Sequence, residues 1–171
     1  MTAQNIDEVK FCLRCGTPLI EAMRFGRLRL VCPSCRWIFF SDPKVAVAAL
    51  ILESGKVLLV RRAYNPQRGL WTLPAGFMDA DEDPIRTVER ECLEETGLPV
   101  RVTGLLDVLH GREHPRGAHI LIVYRAELIK DDSGMIPSIQ PGDDADQVGF
   151  FSVDTLPPLA FGTTNKILAK L

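Results

Sequence analysis

The segment from Asp83 to Thr96 constrains this chain more than any other, because both of its ends are written in residues that stop a helix. Asp83 is a good N-cap and Pro84 suits the first helical turn. Gly97 stands where a left-handed C-cap is wanted, and Pro99 prevents continuation. At about 100° per residue, Ile85, Val88, Cys92 and Thr96 share one face, which should pack on a sheet. Glu91, Glu94 and Glu95 cluster on another, since positions three and four apart are neighbours. Three like charges at that spacing repel. A hard divalent cation such as magnesium, or manganese in its place, would offset the repulsion. The competing reading is a solvated acidic face balanced by Arg86 and Arg90, and for three glutamates alone it is the commoner one.

The rest of the chain supplies strands. Val45 to Leu52, VAVAALIL, reads as a buried strand, and Lys56 to Arg62, KVLLVRR, as its hairpin partner across Glu53-Ser54-Gly55. Asn65 to Gly69 and Pro74 to Asp83 read as polar loops. Strands are expected at Val100 to Leu109, His119 to Leu128 and Gln147 to Val153, with a polar excursion from Asp131 to Asp146. Thr163 to Leu171 reads as a short terminal helix capped by threonine. The implied architecture is α/β, with helices on both sides of a mixed sheet.

Ahead of these elements lie four of the five cysteines, as Cys12-Leu13-Arg14-Cys15 and Cys32-Pro33-Ser34-Cys35. Two matched Cys-x-x-Cys pairs, with 16 residues between them, fit a tetrahedral four-thiolate zinc site better than disulfides or a redox dithiol. Ser41-Asp42-Pro43 is a turn signal, so the chain is expected to divide into a small module, 1–42, and a larger domain, 43–171. Cys92, on the apolar helix face, is expected in the core.

The formal net charge of -2 gives no global basic field that would draw the chain to nucleic acid. From Met1 to Lys44 there are seven Lys and Arg against four Asp and Glu, an excess that would serve phosphate binding but is more often a solvated hairpin. No apolar run reaches the roughly 18 residues of a membrane span. The N-terminus lacks a secretory pattern, so a cytoplasmic location with reduced thiols is expected.

From Gly76 to Leu98 the sequence reads GFMDADEDPIRTVERECLEETGL, with Glu82 after Gly76 and five intervening residues, Arg90-Glu91 after seven more, then Glu94-Glu95 and Gly97. This resembles the complete Nudix box. The likeness runs from about Val45 to Leu156, through GLWTLPAGF before the box and QVGFFSVDTLP near the end. It implies a sandwich of helices and sheet in which a loop-helix-loop cleaves a pyrophosphate bond in a nucleoside diphosphate linked to another group. Carried over by position, Glu91, Glu94 and Glu95 bind the catalytic metal together with the carbonyl of Ala75. Glu82 and Arg90 brace the loop, and Gly76 and Gly97 are turn residues. The chain departs from the pattern at Asp79 and Asp81, where Glu and Gly are frequent. Glu91, Glu95, Asp144 and, behind it, Asp146 are the candidates for the group that takes the proton of the attacking water.

The cysteine module resembles a zinc ribbon of the kind preceding some Nudix domains, with a structural or dimer-building role. The layout, including FFSDPKVAVAALI, is similar to a group acting on FAD or ADP-ribose. The NADH-specific and CoA-specific signatures are missing, and Pro115 stands near a position that often carries proline in ADP-ribose enzymes. The resemblance therefore orders the substrates as ADP-ribose, FAD, then NADH. An RNA-binding protein on a Nudix fold is the reading from another class. Arg61 and Arg62 are candidates for phosphate, and strand alternation allows only one of them to face it. Tyr64, Trp71 and Phe77 are candidates for stacking on a base, with core packing the competing reading for Trp71 and Phe77. Arg112, His114, Arg116 and His119 surround a loop that could meet the ligand.

Overall fold

The computed structural model of the chain describes residues 9–111 and 119–171. Two compact units are present, Met1–Asp42 and Pro43–Leu171. In the first, β1 (Ile20–Arg24) and β2 (Arg27–Val31) form an antiparallel hairpin. Its turn is Phe25-Gly26, with φ of 52° and 72°, the left-handed pair that a tight hairpin needs.

The second unit is built on β3 (Val45–Glu53), β4 (Lys56–Arg62), β5 (Trp71–Thr72), β6 (Ala75–Phe77), β7 (Val100–His110), β8 (Ile120–Leu128) and β9 (Ala145–Ser152). They make one seven-stranded mixed sheet of order β5-β4-β3-β8-β7, with β6 paired to β3 and β9 to β4. β3 and β8 run parallel, and the other pairings are antiparallel. Helices α1 (Pro84–Thr96) and α2 (Gly162–Leu168) complete it.

β3 explains why its sequence is apolar throughout. Val47, Ala49 and Ile51 point into a core shared with Val88 and Cys92 of α1. Ala48 and Leu50 point the other way, into a core shared with Ile167 and Leu168 of α2. A strand covered on both faces has no polar side to alternate with. The expected mixed sheet with helices on both sides is the observed fold.

Two local expectations need correcting. Ile85 is 42% exposed, because it lies in the first turn of α1, and the packed face comprises Val88, Cys92 and Thr96 with Thr87. Helix α2 begins at Gly162 after Phe161, which makes no side-chain cap bond. Thr163 and Thr164 are instead buried, with the Thr164 hydroxyl 3.0 Å from that of Thr72.

The ends of α1 position the site. The Asp83 carboxylate accepts from the amides of Ile85 and Arg86. Gly97, at φ 71°, donates to the Leu93 carbonyl. The segment before β9 then docks on this C-terminus, with Gln140 N–H donating to Thr96 O at 2.9 Å and Gly142 N–H to Glu95 O at 3.3 Å. A Cβ on Gly142 would stand 2.6 Å from the Glu94 carbonyl, so only glycine permits that approach.

Candidate functional site

Glu91 and Glu95 are on the buried side of α1, at 7% and 3% exposure, while the Glu94 side chain is 45% exposed. One carboxylate oxygen each from Glu91, Glu94 and Asp143 fall within 4.8 Å of one another. Asp143, at φ 50°, comes from the docked segment. Glu95 lies deeper, accepting from the amide of Ala75 at 2.9 Å and facing the Asp144 carboxyl. Of the expected ligand residues Glu91 and Glu94 are grouped, Glu95 lies outside that group, and the grouping of Asp143 with Glu91 and Glu94 was not foreseen. Its signal in the sequence was adjacency to Asp144 in GDDAD, and only the docking of Gln140 and Gly142 decides that it reaches the helix.

Burial raises the pKa of Glu91. Burial, and next the Asp144 carboxyl, raise that of Glu95 well above the ordinary carboxylate range. Closely spaced, partly desolvated carboxylates that hold protons this way form an oxygen-only donor set, and a hard divalent cation fits it.

Gly76 serves space rather than a turn. It lies within β6, and a Cβ added there would come 1.9 Å from Cδ of Glu91. Gly97 keeps the turn role expected of it.

Arg90 ties the loop to the helix. Its Nε and Nη2 donate to the two oxygens of Glu82 at 2.7 and 2.8 Å, and its Nη1 to Glu91 at 2.8 Å and Glu94 at 2.9 Å. Glu82 also accepts from the Asp79 amide and the Thr87 hydroxyl, and Glu82 N–H donates to Asp79 O. The turn therefore closes with Asp79 and Asp81 in place, and Asp81 is not among the residues at positive φ. The Arg90 bonds hold the Glu82 carboxyl down at about 2. A depressed carboxyl stabilises the fold above its unfolded pKa and loses that contribution as pH falls through the folded value. Glu82→Gln should therefore lower Tm at pH 7, and the gap from the parent should close between about pH 4.5 and pH 2. Melting curves across that range test this; a gap that persists undiminished at pH 2 would contradict it.

Beside β6 opens a cavity of about 610 Å³. Ala46, Ala48, Leu73, Leu121 and Ile167 give it an apolar floor, and Arg62, Asn65, Phe77, Asp144 and Phe161 stand around it. Strand alternation separates the two arginines. Arg62 lines the cavity, with Nε donating to Pro66 O at 2.8 Å and its guanidinium 5.2 Å from the Phe161 ring centre. Arg61 is instead held by a two-bond ion pair with Asp146, at 2.7 and 3.1 Å, and neither residue lines the cavity. Tyr64 is 65% exposed and outside it. Trp71 packs edge-on against Phe151, centroids 4.6 Å apart, as a core residue. Nδ1 of His119 accepts from the Lys44 amide. Arg112, His114, Pro115 and Arg116 lie outside the described residues. Phe161 and Asn65 were missed, because each stands in a connection with no periodic pattern.

In the cysteine unit the two Cys-x-x-Cys segments fold as matching knuckles. Gly16 N–H donates to Cys12 O and Arg36 N–H to Cys32 O, with φ of 72° at Gly16 and 63° at Arg36. The amides of Arg14 and Cys35 point at the sulfurs of Cys12 and Cys32, both at 3.4 Å. Cys12–Cys35 and Cys15–Cys32 sulfurs are 3.5 Å apart, too long for disulfides and close to the roughly 3.8 Å between thiolates on one tetrahedral zinc. All four ligand atoms lie within 4.8 Å. The Thr17 hydroxyl, 3.3 Å from Cys15, leads the influences that bring that thiol down to about 6. This four-cysteine cluster fits a small zinc ribbon. Elemental analysis of the purified chain should find about one zinc, and Cys32→Ser should lose it together with thermal stability. Metal-free protein of equal stability would contradict this.

The family model for the NUDIX domain matches residues 42–171. The chain belongs to the Nudix family. An ADP-ribose pyrophosphatase of Methanocaldococcus jannaschii is 37% identical over 127 residues, covering 74% of this chain and 72% of the relative. The NAD-capped RNA hydrolase NudC of Chromobacterium violaceum is 30% identical over 153 residues, covering 88% of this chain. The chain spans about half, 52%, of that longer relative. The crystal structure of a NUDIX hydrolase from Nitrosomonas europaea superposes with a TM-score of 0.80 at 33% identity, covering 94% of this chain and 88% of the other. As a Nudix hydrolase, the chain carries its acidic helix, its loop and the neighbouring cavity in a single unit.

Proposed function

We propose that this Nudix hydrolase cleaves the pyrophosphate bond of ADP-ribose or FAD, releasing AMP with ribose 5-phosphate or FMN. The observation that carries the reading is the grouping of Glu91, Glu94 and Asp143, with Glu95 following them on α1, beside a cavity with an aromatic and arginine rim. Glu91, Glu94 and Glu95, with the Ala75 carbonyl, are the residues that would hold magnesium or manganese, and such an ion supplies an acidified water and neutralises diphosphate oxygens. Arg90 fixes the Glu91 carboxylate, and Glu82 fixes Arg90. Glu95 faces the Asp144 carboxyl and its own pKa is raised, first by burial, so Glu95 accepts the proton of the attacking water with Asp144 beside it. Arg62 faces the diphosphate, and Phe77 and Phe161 offer rings on which an adenine can stack. Zinc at Cys12, Cys15, Cys32 and Cys35 is structural.

A second reading, hydrolysis of NADH or an NAD-capped RNA end, is favoured by one observation. The match to the NudC relative covers 88% of this chain, so it takes in part of the cysteine unit. A substrate panel of ADP-ribose, FAD, NADH and NAD-capped RNA, read by AMP or trimmed RNA released, separates the two. Fastest turnover of ADP-ribose or FAD is expected, and preference for capped RNA would move the assignment to the second reading.

A further inference from the structure

The β1–β2 hairpin sorts its charges by face. Arg24 pairs with Arg27, and Ala22 with Arg29. Directly opposed residues share a face and successive ones alternate, so Arg24, Arg27 and Arg29 stand together. Glu21, opposite Leu30, stands on the other face. Among the described residues no carboxylate is within ion-pair distance of these three arginines, and Nε of Arg29 is buried without a hydrogen-bond partner. At the hairpin tip Phe25, 77% exposed, stacks on Phe40, 50% exposed, with centroids 6.4 Å apart and planes 26° from parallel. The Arg29 guanidinium lies 4.6 Å over the Phe40 ring.

Three of the seven basic residues of this region thus share one face of the hairpin, beside two exposed aromatic rings. Unpaired arginines attract phosphate, and flat exposed rings attract bases. An acidic peptide would use the first feature and leave the second without purpose, whereas a single strand presents phosphates and unstacked bases in alternation. We propose that this face of the hairpin is a binding site for single-stranded nucleic acid, with Arg24 and Arg27 on the phosphates and Phe25 stacking on a base. The site is independent of which small dinucleotide the larger unit hydrolyses.

Fluorescence anisotropy of the full chain with a labelled single-stranded oligouridylate of about twelve nucleotides, in magnesium-free buffer, tests this. Binding is expected to weaken with salt. The double variant Arg24→Ala/Arg27→Ala should bind at least about tenfold more weakly, and its slope of log affinity against log salt should fall by about 1.4, or 0.7 per phosphate contact. Phe25→Asn, which removes the ring yet suits the left-handed turn position, should weaken binding about fivefold or more. Both variants should keep the parent's zinc content and its turnover of whichever small substrate the panel identifies. Absence of salt-dependent binding, equal affinity for a duplex of the same length, or unchanged binding in either variant would overturn the proposal. The binding readout needs no hydrolysis, so it stands or falls apart from the substrate assignment.

Discussion

Glu95→Gln is expected to lower magnesium-dependent turnover by at least about 100-fold, the scale of removing a group that acts on charge in the transition state. The substitution keeps size and can keep the bond from the Ala75 amide, which Glu95 accepts at 2.9 Å. It removes a carboxylate whose pKa is raised, first by burial and next by Asp144. The sign of that shift also fixes what should happen to stability. A carboxyl with a raised folded pKa contributes most when protonated, and the contribution is lost as pH rises through the folded value. A permanently neutral glutamine escapes that loss, so the metal-free variant should melt no lower than the parent at neutral pH. Magnesium should then raise the Tm of the parent more than that of the variant. Unimpaired activity in purified Glu95→Gln would remove Glu95 from the site.

Gly76→Ala should be nearly as damaging for a purely steric reason. The new methyl would stand 1.9 Å from Cδ and 2.1 Å from both oxygens of Glu91, so the carboxylate must retreat by about 1.5 Å to reach ordinary contact. The obstacle is the end of one side chain, so the fold should survive. A displacement of about 1 Å at a reacting centre can cost about 100-fold in rate, and a loss of that order is expected, together with weaker magnesium affinity. Ordinary kinetics in Gly76→Ala would mean that the position of Glu91 does not matter.

The parts legible in the sequence are those with local signals. Asp83, Pro84 and Gly97 delimit α1 because capping is a matter of adjacent residues. The run VAVAALIL is β3 because a strand covered on both faces is apolar throughout. The glutamates of α1 were legible as a cluster because helical spacing alone brings them together. What was not legible depends on chain segments far apart. Asp143 reaches Glu91 only because Gln140 and Gly142 bond to the end of α1. Alternation required Arg61 and Arg62 to diverge, but which of them meets the cavity is set by pairing with β9, whose register shifts between those two residues. Gly76 read as a turn residue because its real neighbour, Glu91, is on another element. β5 and β6, two and three residues long, are too short to show a period.

In the proposed reaction water attacks phosphorus in the diphosphate, and hydrolysis in oxygen-18 water tests this most directly. With ADP-ribose as substrate, mass spectrometry should find AMP and ribose 5-phosphate, with one label in a phosphate group of either product, which also identifies the attacked phosphorus. Label on the anomeric carbon of ribose, or free ADP among the products, would indicate cleavage of a glycosidic bond and would contradict the account.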